Sequence, residues 1–584
     1  MKVSDLIAEL LEEAGVRHAF GVQGGAVVHI FDSLEESLIN VTYSVFEQSA
    51  ALAAVAASRV SGQPQLCVVT TGPGGTNAVT GLLAAWQDSV PTIFVSGQTR
   101  ASQVSYGTNQ RQIGSQEAPI LNIVRPICKA AVFVGSPVDV ESALVSAIKL
   151  ATTGRPGPVW IDIPVDVQWG EISRKSDTAL QSPQQIQKKP IDSTAIESVN
   201  QLLDEASRPL LWLGAGSRSA LPSVRALVDT WNLPFVCTWQ TKHLLGPEHP
   251  LDLGVVGPFG QRGANLATYQ ADLLVALGSH FGVNQTTGNL AEFCPEATKV
   301  VVDIDEAELE GLQISVSKVI RADVTEFLQH LLDGRAPVVH DWSPNDVTLL
   351  KKQNSAEDQR HRLIEEASPR VNSNVFMADL FCDPMEPYDV VIDGGGTALY
   401  AGWQCSYGQG LRNLVGSTAI SSMGTAMAEA IGVQAVSDAT KTFVVVGDGS
   451  FWMSLENLPP LGQLSKPVVV VVVNNEGYLA IRHTQQEFLG GRFHGTNAAG
   501  HLSFPQIEPI ARSLGFDFMR VDQQSADRAM SLARDHANGV LVLELICPED
   551  QPLLFSQVFR SNGDGTKSAL PLSTMAPLAA QVPS

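Results

Sequence analysis

Two polar positions follow two valine-rich runs in the last third of the chain, at the point where each run ends. Asp448 follows the run 442–446, and Asn475 follows the run 468–473. β-Branched runs joined by a helical segment predict a parallel βαβ unit, whose two strands end at the same edge of the sheet. A carboxylate and an amide oxygen beside a glycine-rich helix start suit a hard divalent cation that carries a phosphate. An ordinary βαβ unit with a tight turn and a polar loop is the alternative interpretation.

A second candidate for chemistry is Glu47, at the predicted start of a helix whose first turns are almost entirely Ala, Leu and Val. An acid at a helix N-terminus can be explained by the helix dipole alone. Apolar surroundings, however, disfavour the charged form, so this carboxyl is expected to be able to hold a proton. The sequence therefore offers both a structural and a catalytic interpretation of Glu47.

The elements that would position Asp448 are repeated near the N-terminus. The order strand, Gly-x-Gly, helix, proline, strand occurs over 66–95 and again over 442–473. The first glycine and the proline are 19 residues apart in one copy (72 to 91) and 20 in the other (447 to 467). We interpret this as an internal duplication, with two unrelated α/β units of similar turn chemistry as the alternative.

Length, composition and charge bound the class of protein. The 584 residues are too many for one core and predict three domains, which we place at 1–168, 190–335 and 371–548, followed by a tail at 549–584. Hydrophobic residues make up 44% and charged residues 17% of the chain, which is ordinary globular composition. The net charge of −22 argues against nucleic acid and anionic membranes as partners.

The cysteines and the apolar runs indicate where the protein works. The seven cysteines are scattered and show no C-x-x-C spacing, which is typical of reduced thiols in a cytoplasmic protein. No apolar run of the sequence approaches the roughly 20 residues needed to span a bilayer. We therefore expect a soluble, cytoplasmic protein with no membrane partner.

The segments GDGS (447–450) and NNEG (474–477) together resemble the thiamine diphosphate motif of the acetolactate synthase and pyruvate decarboxylase family. The resemblance implies the thiamine diphosphate-binding fold, in which three doubly wound α/β domains have mostly parallel sheets. It also implies that Asp448, the side chain of Asn475 and the carbonyl of Gly477 bind Mg²⁺. Two diphosphate oxygens and a water would complete the octahedron that Mg²⁺ prefers.

Further family motifs follow in the expected order. The glycine turn 394–397 offers backbone amides to a diphosphate. Met423 stands where the family has a bulky residue that wedges beneath the thiazolium ring, and the carbonyl of Ser421 would accept the pyrimidine amine. Core packing is the alternative interpretation of Met423. The resemblance thus implies coenzyme contacts from Gly394, Gly395, Gly396, Thr397, Ser421, Met423, Gly447, Asp448, Gly449, Ser450, Asn475, Gly477, Tyr478 and Leu479.

The resemblance gives Glu47 a role in activating the coenzyme. A carboxyl hydrogen-bonded to the pyrimidine ring drives that ring to an imino form, whose nitrogen removes the thiazolium C2 proton. Met423 would hold the coenzyme in the folded shape that this proton transfer needs. Gln116 lies where acetolactate synthases have an active-site glutamine, so it is the third residue that we expect to act in catalysis.

The chain departs from the family at several positions. Phe46 stands in place of the His that usually precedes the catalytic Glu, and Ser115 replaces an aromatic residue. Ala480 and Thr484 replace the Met and the acceptor-selecting Trp of acetolactate synthases, which argues against housekeeping branched-chain amino acid synthesis. The paired histidines of the pyruvate decarboxylase branch are missing from the sequence, which weakens the interpretation as a simple decarboxylase.

Acetolactate synthases also hold FAD in their central domain, and the motifs of this sequence give conflicting indications of such a site. The segment that begins at Gly278 takes the place of the family's GxRFDDRxTG stretch and lacks both arginines, whereas Asp303, Asp305 and Asp323 match. The turn Gly214-Ala215-Gly216 is only a weak dinucleotide-like signal. FAD therefore stays open as an additional cofactor.

The sequence predicts a thiamine diphosphate- and Mg²⁺-dependent enzyme of acetolactate synthase-like type. It would decarboxylate a 2-oxo acid, with pyruvate as the expected donor, and transfer the acyl unit to a second carbonyl acceptor. The family sets the first domain of one subunit against the third domain of another, which implies a homodimer or homotetramer. A 2-oxo acid decarboxylase, a C–C lyase of the same family and a non-catalytic homologue are the alternatives. The segment 257–265 resembles a family branch found with sugar-modifying enzymes, and nothing else in the sequence points to the acceptor.

Overall fold

Three separate six-stranded sheets make up the protein, seen here in a computed structural model that describes residues 1–174, 191–246, 249–287, 290, 293–354, 360–406, 408–562 and 567–576. Within each of these sheets, every pair of neighbouring strands is parallel. The predicted fold of three doubly wound α/β domains is confirmed.

The first sheet is built from the N-terminal residues and has the strand order β2-β1-β3-β4-β6-β5. Helix α3 begins at Glu47, where the sequence predicts a helix start, and it is buried from Ser49 to Arg59. The strands are β1 (His18–Gly21), β2 (Asn40–Tyr43), β3 (Gln65–Val69), β4 (Thr92–Gln98), β5 (Ala130–Phe133) and β6 (Val159–Pro164). The helices are α1 (Val3–Glu13), α2 (Val28–Glu35), α3 (Glu47–Ser61), α4 (Pro73–Asn77), α5 (Val79–Gln87), α6 (Ile120–Val124), α7 (Val140–Thr152) and α8 (Val165–Gln168).

The second sheet has the strand order β12-β11-β10-β7-β8-β9, the order of dinucleotide-binding folds. Its strands are β7 (Pro209–Leu213), β8 (Phe235–Cys237), β9 (Asp252–Val255), β10 (Leu273–Leu277), β11 (Thr298–Asp303) and β12 (Lys318–Arg321). Its helices, and those that lead to the third sheet, are α9 (Ser193–Glu205), α10 (Leu221–Trp231), α11 (Arg262–Gln270), α12 (Val283–Thr286), α13 (Glu306–Glu310), α14 (Val324–Leu332), α15 (Pro344–Lys352) and α16 (Arg360–Ala367).

The third sheet has the strand order β14-β13-β15-β16-β18-β17. Its strands are β13 (Tyr388–Ile392), β14 (Leu411–Val415), β15 (Lys441–Gly447), β16 (Val468–Asn474), β17 (Asp517–Val521) and β18 (Val540–Ile546). Its helices are α17 (Ser373–Leu380), α18 (Gly396–Cys405), α19 (Ala426–Val436), α20 (Asp448–Met453), α21 (Leu458–Leu461), α22 (Leu479–Leu489), α23 (Ile507–Ser513) and α24 (Ala526–Asp535).

The first and third sheets follow one topological plan. Counted from the first strand of each sheet, both have the order 2-1-3-4-6-5. Strands β3 and β4 correspond to β15 and β16, which are the two pairs that the sequence repeat predicts to be equivalent. The shared order supports the interpretation as an internal duplication.

These two sheets share a core through helices α3 and α19. The alanines of α3 pack with Ala430, Ile431 and Val433 of α19 in a single buried cluster. A Cβ added to Gly432 would lie 1.9 Å from the carbonyl oxygen of Ala53. The two helix backbones are therefore in direct contact, and only glycine fits at position 432.

The residues after β18 form two small antiparallel ribbons, in which β19 (Ser556–Gln557) pairs with β22 (Met575–Ala576) and β20 (Phe559–Ser561) pairs with β21 (Lys567–Ala569). The backbone amide of Gln557 donates to the carbonyl of Pro258 at 2.9 Å, and the Arg262 guanidinium lies 5.3 Å from the Phe555 ring centroid. The segment 257–265 thus holds the predicted tail, of which residues 563–566 and 577–584 lie outside the described part. Among the described residues, no helix is long and apolar enough to cross a membrane.

Candidate active site

Asp448 lies where two neighbouring strands of the third sheet end. Strand β15 ends at Gly447 and helix α20 begins directly at Asp448, so the predicted separate turn at 447–449 is instead the first turn of a helix. Oδ2 of Asp448 accepts a hydrogen bond from the amide of Gly477 at 2.7 Å, and Oδ1 accepts one from the amide of Gly449 at 2.7 Å. The carboxylate therefore joins the loop after β16 to the loop after β15, as the parallel pairing of these strands predicts.

Asn475 reaches the same place from the end of β16. Its Nδ2 donates to Oγ1 of Thr397 at 2.8 Å, which fixes the orientation of the amide. Its Oδ1 is buried and has no hydrogen-bond partner among the described residues. A buried polar oxygen without a partner beside a carboxylate is what an absent oxygen-binding cation would leave, so the residues fit Mg²⁺.

The electrostatics of Asp448 agree with a cation site. Burial raises the pKa of Asp448 to about 6, against the lowering effect of the amides of Gly477 and Gly449. A bound cation would favour the ionised carboxylate and reverse this shift. No cluster of three or more His, Cys, Asp or Glu side chains suited to a metal exists in the described part of the chain, so the mixed carboxylate, amide and carbonyl set is the candidate.

Glycines allow the loops around Asp448 to pack very closely. A Cβ at Gly395 would lie 2.4 Å from Cγ of Met423, and a Cβ at Gly449 would lie 2.3 Å from Cε1 of Tyr478 and 3.3 Å from Cε of Met423. Met423 is thus held between the turn after β13 and the first turn of α20. This location is compatible with the wedge role expected for Met423, which stays a prediction.

Three of the non-glycine residues with positive φ are predicted site residues or lie next to them in sequence. Gln116 has a φ of 58°, Ser421 of 47° and Glu476 of 60°. Such conformations are costly for residues other than glycine and occur preferentially at functional sites. Two of these three residues were singled out from the sequence for other reasons.

One cavity of about 1450 Å³ is lined by residues of all three domains. It is lined by every residue that the sequence predicts to contact the coenzyme. These are Gly394, Gly395, Gly396, Thr397, Ser421, Met423, Gly447, Asp448, Gly449, Ser450, Asn475, Gly477, Tyr478 and Leu479. The structure therefore brings these predicted contacts together at one place.

Glu47 and Gln116 do not line this cavity. They lie together at the edge of the first sheet, where a Cβ at Gly74 would be 3.6 Å from Oε1 of Glu47 and a Cβ at Gly72 would be 2.1 Å from the carbonyl oxygen of Gln116. The side chain of Asn77 donates to Oε2 of Glu47 at 3.0 Å. Within one chain, the predicted acid and the predicted cation site thus lie apart, as two separate halves of the predicted active site.

Several residues that support the site have no signal in the sequence. The guanidinium of Arg482 is buried and donates to the carbonyls of Asn475, Thr496 and Glu549 at 2.7, 2.8 and 2.7 Å. Oδ1 of Asp393 accepts from the amide of Thr425 at 2.9 Å, which ties the glycine turn after β13 to the start of α19. Burial raises the pKa of Asp393. These contacts join distant parts of the sequence and involve no periodic pattern.

The glycine turn of the second domain does not provide a phosphate cradle. Residues 215–220 form a 3-10 helix, and the amides of Gly214, Gly216 and Ser217 already donate to the carbonyls of Leu277, Gly278 and Gly214. The weak dinucleotide-like signal at 214–216 is therefore explained by the packing of two turns. The described residues here do not fit the diphosphate of FAD in the way that dinucleotide-binding turns do.

Comparison with known proteins agrees with this architecture. Residues 1–118 match the N-terminal TPP binding domain of thiamine pyrophosphate enzymes, residues 196–331 their central domain and residues 394–545 their C-terminal TPP binding domain. The acetolactate synthase large subunit of Parasynechococcus marenigrum is 30% identical over 540 residues, which cover 90% of this chain and 84% of that protein. The isozyme 2 large subunit of Escherichia coli acetolactate synthase is 27% identical over 533 residues, which cover 90% of this chain and 92% of that protein.

Fold and comparisons together define a coenzyme-dependent α/β enzyme, and the residues predicted to contact the coenzyme lie at the carboxyl edge of the third sheet. The chain belongs to the thiamine pyrophosphate enzyme family, in its acetolactate synthase-like group.

Proposed function

We propose that this protein is a Mg²⁺-dependent carboligase that decarboxylates a 2-oxo acid, with pyruvate as the expected donor, and transfers the acyl unit to a second carbonyl acceptor. The observation that carries the proposal is the unpartnered buried Oδ1 of Asn475 beside the carboxylate of Asp448, in a cavity that also contains Met423. The names of the relatives support the same reaction class.

Asp448, Asn475 and the carbonyl of Gly477 would hold Mg²⁺, and the amides of Gly394–Thr397 would bind the diphosphate. Thiamine diphosphate, when bound, supplies a nucleophilic carbon and an electron sink for decarboxylation. Met423 would orient the ring system, and the carbonyl of Ser421, a residue with left-handed backbone, would accept the pyrimidine amine.

Glu47 would hold and move the proton that activates the pyrimidine ring. The side chain of Asn77 donates to Oε2, which fixes the carboxyl and leaves Oε1 available. An added Cβ at Gly74 would come 2.9 Å from Cγ2 of Thr70 and only within ordinary contact, 3.6 Å, of Oε1 of Glu47. Gln116, at the same sheet edge, is placed to contact substrate from the same side.

We further propose a homodimer as the smallest active unit. Glu47 lies outside the cavity that holds Asp448, so a second copy has to bring its first domain to this third domain. Exposed apolar side chains flank both halves, Val45 beside Glu47 and Met453 at the end of α20, with 61% and 54% of their surface accessible. Covering these side chains in an interface would remove apolar surface from water.

FAD is not part of this proposal. The amides of the glycine turn after β7 are used within the protein, and the family's two arginines are missing from the segment that begins at Gly278. The visible spectrum of the purified protein tests this point directly. A bound flavin absorbs between about 400 and 500 nm, where the amino-acid residues of the protein do not absorb.

The proposed function is tested by product analysis. The purified protein is incubated with thiamine diphosphate, Mg²⁺ and pyruvate, first alone and then with a second 2-oxo acid or an aldehyde. A carboligase gives a new C–C bonded product only with the acceptor or with a second pyruvate. Release of free aldehyde as the sole product would assign a decarboxylase instead, and no CO₂ from any 2-oxo acid would contradict the proposal.

A further inference from the structure

The second sheet reverses its strand order between β7 and β10, and such a point opens a crevice at the carboxyl ends of the strands. The turns after these two strands touch, since a Cβ at Gly278 would lie 2.5 Å from Cα of Gly216. Two residues beyond each of these glycines stand Arg218 and His280. Both side chains are exposed and line the cavity that contains the coenzyme contacts.

The arginines of this cavity differ in their partners. Nη2 of Arg59 forms an ion pair with Oδ2 of Asp88 at 2.6 Å, and both side chains are almost fully buried. Nη1 of Arg155 forms an ion pair with Asp305 at 3.1 Å and a second one with Glu308. These two positive charges are therefore already matched by carboxylates of the protein.

Arg218 has no carboxylate of the described residues at contact distance; the Asp88 carboxylate attracts it from farther away and is already paired with Arg59. Nη2 of Arg218 donates to the carbonyl of Gln240, and it forms no ion pair with any carboxylate in the described ranges. The protein that surrounds the cavity desolvates Arg218 and, together with Arg59, lowers the pKa of its accessible guanidinium to about 10, against the raising effect of Asp88, so the guanidinium stays charged at neutral pH. A charged donor that faces an enclosed cavity interacts with an anion more strongly than it would in open water.

The position of Arg218 connects it to the coenzyme end of the cavity. Nε2 of Gln240, whose carbonyl accepts from Arg218, donates to Oγ1 of Thr418 at 2.7 Å. The hydroxyl of Ser421 donates to the carbonyl of Thr418 at 2.7 Å. A short series of hydrogen bonds therefore leads from Arg218 to the loop that carries Ser421 and Met423.

We propose that Arg218 and His280 form an anion subsite, at which the carbonyl acceptor is bound through its own carboxylate or phosphate group. The turn after β10 carries His280 and no arginine, and the neighbouring turn after β7 supplies the guanidinium at the same sheet edge. The subsite deepens the proposed carboligase function and rests on it for the identity of the ligand.

Binding of inorganic phosphate tests the subsite without turnover. Calorimetric titration uses the holoenzyme, in which the coenzyme diphosphate already fills the cradle at 394–397. Phosphate is expected to bind the wild type and the Arg412→Gln control, whose side chain is half exposed on the third domain, with equal affinity. Arg218→Gln is expected to lower the affinity by on the order of 10- to 100-fold, and Arg218→Lys by less. Equal affinity in Arg218→Gln and wild type, or no binding to the wild type, overturns the subsite.

Acceptor kinetics distinguish the two kinds of anion. Glyceraldehyde 3-phosphate is compared with glyceraldehyde, and 2-oxobutyrate with propanal, each with pyruvate as donor. Arg218→Gln is expected to raise KM for the preferred charged acceptor by on the order of 10- to 100-fold, with kcat nearly unchanged and its neutral counterpart unaffected. An equal change for charged and neutral acceptors overturns the assignment.

Two further outcomes separate this inference from the proposed function. If pyruvate loses CO₂ but no acceptor is ligated by the wild type, the carboligase function fails, and the phosphate titration alone decides on the subsite. If the purified protein carries a flavin that Arg218→Gln releases, Arg218 serves a dinucleotide, and the assignment to the acceptor is overturned.

Discussion

The amide of Gly477 donates to Oδ2 of Asp448 at 2.7 Å, and this bond joins the loops that follow two neighbouring strands. Hydrogen bonds within the chain therefore already hold two of the residues of the proposed cation site in place. We expect Asp448→Asn to lower the affinity for thiamine diphosphate in the presence of Mg²⁺ by on the order of 100-fold, because a charge-assisted set of contacts is lost. Calorimetry at several Mg²⁺ concentrations measures this. Asp438→Asn, at an exposed position of the same domain, is the control, and an unchanged Mg²⁺ dependence in Asp448→Asn would contradict the site.

Glu47→Gln removes the proposed acid and keeps its size. Turnover of pyruvate is expected to fall by on the order of 10² to 10⁴, the usual contribution of a positioned acid or base. Asn77 can still contact the amide oxygen of the variant, so the fold and coenzyme affinity are expected to stay close to wild type. Steady-state CO₂ release and circular dichroism check both points, with Glu36→Gln at an exposed position as control. Full activity in Glu47→Gln would refute its role.

Gly395→Ala tests the wedge. The added methyl would overlap Cγ of Met423 at 2.4 Å, so Met423 has to move away from the coenzyme ring. We expect a loss of both coenzyme affinity and kcat on the order of 10-fold. Gly447→Ala is the matched variant, since its added Cβ meets nothing within 4 Å, and it is expected to cost less. Equal effects of the two substitutions would argue against a steric cause.

Arg482→Met tests whether the cation loop needs its buried clamp. The substitution removes donors to the carbonyls of Asn475, Thr496 and Glu549, of which the carbonyl of Thr496 keeps the amide of Tyr478 as a donor. Residues that orient metal ligands typically contribute 10- to 100-fold to metal affinity, and we expect a loss of about that size. Mg²⁺ titration of coenzyme binding measures it. Arg512→Met, in an exposed ion pair, is the control, and wild-type Mg²⁺ affinity in Arg482→Met would show that the loop is rigid without the clamp.

Glu429 predicts a pH dependence of stability. Burial raises the pKa of this carboxyl to about 7 from 4.5, so its contribution to stability is complete below pH 4.5 and is lost as the pH rises to about 7. Between pH 5.5 and 8 the wild type is expected to lose roughly 2 kcal/mol relative to Glu429→Gln, which cannot ionise. Thermal unfolding of both proteins at these two pH values measures the difference. Parallel pH profiles would mean that Arg59 holds the carboxylate charged in the folded state.

Much of the fold and of the cation site follows from the sequence because both depend on periodicity. Valine-rich runs define β15 and β16, and parallel pairing then dictates that Asp448 and Asn475 meet. The glycines that let Met423 pack closely against the neighbouring turns, Gly395 and Gly449, are also recognisable in the sequence as parts of motifs. Their roles in binding the coenzyme remain predictions, which the variants above test.

Other features depend on single long-range contacts that no local pattern encodes. Arg482 contacts Glu549, which lies 67 residues away in the sequence, and no motif around either residue predicts this contact. Arg218 is likewise inconspicuous in the sequence. It stands out only in the structure, where Arg59 and Arg155 form ion pairs with carboxylates and Arg218 does not. The separation of Glu47 from the cavity required the three-dimensional arrangement of the sheets as well.

The contact of Gly432 with the carbonyl of Ala53 has a mechanical consequence. Backbone touches backbone there, so no rearrangement of side chains can let α3 slide along α19. Sliding the first domain of one subunit along its third domain would therefore drive one backbone into the other. The second domain lines the same cavity and takes no part in this helix contact, so opening the cavity on that side leaves the contact intact.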